Sequence, residues 1–147
     1  MRGDFKMKFQ VKRNPILVAI VLFMIILPFF LLFQSEPLPS LIIPFLLSAF
    51  LAHALLKSYF VIENQKLIIV FGLIKKEIPI RDMKEIRYSN NPLSAPAWTL
   101  KRLEIVFARP IGTRPNAAAR FTLVSLPKDE TGFFREIAKI NPHLKTP

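Results

Sequence analysis

The sequence predicts an α+β protein: a transmembrane helical hairpin, then a small antiparallel β-barrel or bent sheet capped by a C-terminal α-helix. Three observations carry this. Two apolar runs, residues 16–33 and 38–56, contain no Asp, Glu, Lys or Arg. From Ser58 onward the hydrophobic period drops to two. Near the end, Phe133, Ile137 and Ile140 recur at helical spacing before Pro142. The chain thus divides into a basic N-terminal flank (1–15), a hairpin (16–56) and a β-rich domain (57–147).

The flank and the hairpin set the topology. As helices rising ~1.5 Å per residue, the two runs reach roughly 27–28 Å, close to the ~30 Å hydrocarbon core of a bilayer. Between them Gln34-Ser35-Glu36-Pro37 has room only for a reversal, and Glu36 is costly in lipid. Arg2, Lys6, Lys8, Lys12 and Arg13 precede the first run, Lys57, Lys66, Lys75, Lys76 and Arg81 follow the second, and the tip has no Lys or Arg. The positive-inside rule therefore places both termini in the cytoplasm. A signal peptide competes for the first run, but no small-x-small cleavage site follows Phe33. A buried hairpin of a soluble protein would need more covering chain than the ~90 remaining residues supply.

Composition narrows the chemistry. Among 147 residues, 52% hydrophobic, there is no cysteine, which excludes disulfides, thiolate catalysis and Cys-ligated zinc. A net charge of +11 is the usual footprint of nucleic-acid binding. Here positive-inside topology already demands that charge and no nucleic-acid motif accompanies it, so anionic headgroups are the simpler partner.

The β-rich domain opens as a meander. Residues 59–62 read as a strand, Glu63-Asn64-Gln65 as a turn, and 66–71 as a second strand rich in β-branched and aromatic residues. Gly72 marks a bend that needs positive φ. A third strand covers 73–80, Arg81 to Lys84 form a turn, and a fourth strand covers 85–88. Two prolines make 89–97 a long loop. Strands at 100–107 and 120–126 flank an extended tip, 108–119, that holds Pro110, Gly112 and Pro115. Pro127-Lys128-Asp129-Glu130 then starts the last helix, with acids at the positive end of its dipole.

Asn91-Pro92-Leu93-Ser94-Ala95-Pro96-Ala97, followed by Thr99-Leu100 and Arg102-Leu103-Glu104-Ile105, resembles the signature loop and strand of bacterial pleckstrin-homology-like (PH-like) domains of the YyaB-like type. The segment from Pro127 through Phe134 to Pro142 resembles that family's terminal helix. The likeness covers about 59–144; Leu126 stands where a serine cap is expected, and the 108–119 tip is longer than the family's tight hairpin. The resemblance implies a small PH-like barrel on membrane helices, with no catalytic residues to carry over. It does not imply phosphoinositide binding, because a shared fold does not fix a ligand.

Little in the chain supports catalysis. There are two histidines, and the four glycines form no phosphate-cradling loop. His53 lies near the cytoplasmic end of the second run and reads as an interfacial side chain reaching the headgroups; the competing role is a proton-responsive group. His143 reads as tail. The carboxylates Glu63, Asp82, Glu85, Glu104, Asp129 and Glu130 are dispersed over turns and strands, as on a solvated face. The expectation is a non-enzyme without cofactor or metal.

The candidate binding residues are Arg109, Arg114 and Arg120 on the extended tip, where guanidinium forks can grip phosphate, with Asn91, Leu93, Ser94 and Trp98 in the signature loop. Trp98 is either an exposed anchor or, more commonly for such a residue, packed over the end of the barrel. The expected function is a membrane-anchored binding module engaging a protein partner or anionic lipid headgroups. A structural subunit that assembles a membrane complex, including with copies of itself, is the alternative class, and Pro28 and Pro44 could kink the helices for such packing.

Overall fold

A computed structural model describes residues 6–34, 37–91, 98–111 and 119–147. The element order is β1 (Met7–Gln10), α1 (Pro15–Leu32), α2 (Leu38–Leu56), β2 (Ser58–Glu63), β3 (Lys66–Phe71), β4 (Ile74–Pro79), a 3-10 turn (Ile80–Asp82), β5 (Met83–Ser89), β6 (Arg102–Ile111), β7 (Ala119–Ser125) and α3 (Glu130–Ile140).

The hairpin forms where the apolar runs predict it. Asn14 caps α1, its Oδ1 accepting from Ile16 N at 2.9 Å, and Pro15 takes the first helical position, where no N–H is needed. Only 6% of the α1 window and 22% of the α2 window are buried within the protein, so the rest of the described chain leaves both largely uncovered. Both are long and apolar enough to cross a membrane. They touch through an edge-to-face pair, Phe29 and Phe45, with ring centroids 5.1 Å apart. Pro28 lacks an N–H and so frees the carbonyl of Met24; the Ser48 hydroxyl of α2 stands 3.4 Å from that oxygen and donates to Pro44 O at 2.8 Å.

One element was not legible as structure. Met7–Gln10, read from the sequence as basic flank, is a strand paired antiparallel with β2, from Met7 opposite Ile62 to Gln10 opposite Tyr59. The hairpin is therefore an excursion between two neighbouring strands of one sheet. Pairing Gln10 with Tyr59 holds the start of α1 beside the end of α2, so both feet leave the domain together.

The domain contains two antiparallel sheets, β1-β2-β3-β4 and β5-β6-β7. They do not close into a barrel; the bent-sheet form of the expectation describes them. On one side they are stitched together past β1, where Lys12 N donates to Leu126 O and Lys128 N to Gln10 O, both at 2.7 Å. The turn from β2 to β3 has Asn64 and Gln65 at positive φ, the two-residue hairpin geometry whose twist matches the strands. Gly72 between β3 and β4 also has positive φ, +59°, and a Cβ there would press on Ala54 of α2 at 3.0–3.1 Å. That turn therefore abuts the last turn of the hairpin, with Gly72 N donating to Lys57 O at 2.8 Å.

Helix α3 plugs the open end. Its cap is Asp129, whose Oδ1 accepts from Gly132 N at 2.9 Å, and a side chain at Gly132 would collide with that carboxylate. The expected apolar face is buried: Phe133 and Ile137 have no exposed surface, and Phe133 packs against Phe9 and Phe60 at 5.6 and 5.5 Å. Asn141 ends the helix and ties it to the turn before β5 by donating to Ile80 O and Met83 O.

Candidate functional site

Three chain segments converge on Trp98 where the hairpin meets the domain. The indole is 4% exposed, stacked on Phe71 with centroids 5.4 Å apart. Its Nε1 donates to Ser58 Oγ at 2.8 Å, and the Ser58 hydroxyl in turn donates to Ala54 O in the last turn of α2. The Trp98 carbonyl accepts from Asn14 N, the cap of α1, at 2.8 Å, and Trp98 N donates to Ser125 Oγ at 2.9 Å. Trp98 thus joins both feet of the hairpin to β7. It is packed over the end of the sheets and is not an exposed anchor.

The arginines lie elsewhere. Arg109 on β6 and Arg120 on β7 are exposed, within the register irregularity between Val106 and Ile111. Arg102, near the start of β6, faces Ser125 beside the Trp98 joint, so at ~3.3 Å per residue Arg109 sits roughly 23 Å farther along the strand. Trp98 and Arg109 therefore lie apart, toward opposite ends of β6. Asn91 is exposed and its N–H donates to Ser89 Oγ at 3.3 Å. Leu93, Ser94 and Arg114 fall outside the described residues.

Sequence reasoning did not assemble the groove of about 650 Å³ at the foot of α2. Its walls include Lys6, Lys8, Lys57 and Lys75, with His53, Tyr59, Glu63 and Leu73. The strand register explains the gathering. Residues 59, 61 and 63 of β2 face away from the core cluster, and opposite or diagonal to them lie Lys8 and Lys6 of β1, with Val70 next across on β3 and Lys75 beyond it on β4. The Lys8 ammonium rests 4.0 Å from the centre of the Tyr59 ring. Lys6 approaches Glu63 at 3.8 Å and Lys75 pairs with Glu77 at 2.9 Å. The Glu77 hydrogen bond and charge hold Lys75 above the usual lysine range, keeping it cationic at neutral pH. His53 Nδ1 is buried with no hydrogen-bond partner among the described residues. The signal was present in the alternation Lys6-Met7-Lys8-Phe9, a half-buried strand pattern masked by its place in a basic flank.

A second, apolar cleft of about 170 Å³ opens between the β3–β4 side and β7, floored by Phe60, Phe71 and Trp98. Lys76 spans its mouth, Nζ donating to Thr122 Oγ1 at 2.9 Å, and partial burial there lowers its pKa. Among the described residues no cluster of His, Asp or Glu could hold a metal ion.

No curated protein and no solved structure matches the chain. A family model described as bacterial PH domain matches residues 58–141, more than half of the chain and all of β2 through α3. By that match, which spans both sheets and the capping helix described above, the chain belongs to the bacterial PH domain family.

Proposed function

We propose that the chain is a membrane-anchored binding module whose PH-like domain engages the anionic cytoplasmic face of the bacterial inner membrane that holds it. One observation carries the reading: the hairpin leaves and re-enters the domain between paired strands, Gln10 opposite Tyr59, so a hairpin set in a bilayer keeps the domain against one face. Charge selects the face, because the feet are rich in Lys and Arg and the tip has none. The PH-like domain is a binding-type fold, and its YyaB-like subtype rests on the resemblance of the Asn91–Ala97 loop, the Thr99–Ile105 strand segment and the terminal helix.

Orientation is tested with single cysteines, since the native chain has none. Placed at Lys8 and Lys128 they should be shielded from an impermeant thiol reagent in intact cells, while one at Glu36 should be labelled; labelling at Lys128 but not at Glu36 reverses the orientation. Engagement is tested by hydrogen exchange of the full chain in nanodiscs with and without phosphatidylglycerol. Greater protection of the domain with the anionic lipid supports the reading. Unchanged exchange, with crosslinks to another chain in native membranes, replaces it with an assembly subunit.

A further inference from the structure

The groove at the foot of α2 has a chemistry that the arginine tip does not. Of its four lysines, Lys6 faces Glu63 and Lys75 is held by Glu77, whereas Lys8 lies over an aromatic ring and Lys57 has no partner among the described residues. Among the described residues, two ammonium groups are therefore uncompensated by a carboxylate. Lys57 directly follows α2 and His53 lies within it, so the groove begins where the apolar helix ends. Beside it the β3–β4 turn exposes Leu73, 75% accessible, level with Leu56 at 75%. Gly72 N bonded to Lys57 O fixes that level. Apolar side chains above and cations below are the profile of a bilayer interface, where acyl chains give way to phosphates.

We propose that this groove is a headgroup site for an anionic phospholipid, with Lys8 and Lys57 on the phosphate and Leu73 against the adjoining acyl chains. The proposal rests on the membrane-anchored reading and deepens it: the contact is one lipid at a built site rather than a diffuse attraction of the +11 chain to the surface. Tyr59 serves as a wall that keeps the Lys8 ammonium positioned, and His53 lines the same space.

The test uses the full chain in mild detergent and counts retained phosphatidylglycerol by native mass spectrometry, with phosphatidylcholine as competitor. Lys57→Gln should lower retention about 5-fold, and Lys8→Gln with Lys57→Gln roughly 25-fold, the loss expected for one and two lysine contacts at an anionic surface. Arg109→Gln with Arg120→Gln should leave retention unchanged, and all variants should melt like the parent because exposed charges contribute little to folding. Equal retention by the Lys8/Lys57 variant, or equal loss in the arginine variant, overturns the groove as the site. Displacement of the lipid by glycerol phosphate at matched concentration would make the ligand a soluble phosphate and also overturn it. Carbonate extraction separates the two readings: a chain that stays in the membrane without groove selectivity sinks only the groove, while release from the membrane sinks the anchor with it.

Discussion

Helices α1 and α3 meet opposite demands. Every turn of α1 is apolar, yet among its described residues only Pro28 is buried by the protein; α3 is about half polar, yet its Phe133 and Ile137 are sealed completely. A helix in water needs one apolar stripe and a partner to cover it, whereas one in lipid needs apolar groups all round and satisfied backbone carbonyls. The same contrast runs through the polar contacts. In the hairpin, Ser48 addresses a carbonyl freed by proline; in the domain, Ser58 carries a relay from Trp98 to the foot of α2.

The comparison can be broken at three levels. The largest effect is expected from Ile137→Asp, because burying an unpaired carboxylate costs several kcal/mol against a domain stability of about 5–15 kcal/mol. Circular dichroism of the full chain in detergent should then lose its cooperative β-domain melt while the helical signal of the hairpin persists. Loss of both together would mean that hairpin and domain fold as one unit. A middle effect concerns β1. A soluble fragment in which residues 6–12 are joined by a Gly/Ser linker to 58–147 should outlast 58–147 alone by roughly 10 °C in its melt, about 2 kcal/mol for the Phe9 contacts and the added strand. Identical melts would make β1 a passenger.

The smallest effects come from the two serines. Ser58→Ala leaves the buried Trp98 Nε1 without an acceptor, and melts should register a loss of about 1–3 kcal/mol. Ser48→Ala should cost only about 0.6 kcal/mol if the hairpin sits in lipid as proposed, because a hydroxyl between helices there exchanges one set of partners for another. If Ser48→Ala proves the more damaging, the hairpin depends on specific polar contacts more than its composition implies.

Much of the fold was legible because its signals are local. Eighteen or more apolar residues in a row can form few things, the Asn64-Gln65 turn and the Gly72 bend follow from two-residue hairpin chemistry, and α3 shows its face by periodicity. The candidate site was much less so. Arg109 and Arg120 were visible as cations on a hairpin tip, but their remoteness from Trp98 depends on the register of β6 against β7. The groove lysines were each visible and each attributed to topology, since a basic flank and a basic strand have the same composition.

Composition and periodicity alone determined that this chain carries two lipid-compatible helices, a short-stranded antiparallel domain and an amphipathic closing helix, because each depends on neighbours within a few residues. Only the tertiary structure decided that Met7–Gln10 is a strand of that domain, that Trp98 is an internal joint, and that Lys8, Lys57 and Lys75 line one groove. The reason is physical: β-pairing joins residues about fifty positions apart, Gln10 with Tyr59, through hydrogen bonds that every residue offers alike, so nothing in either segment names its partner until the sheet has formed.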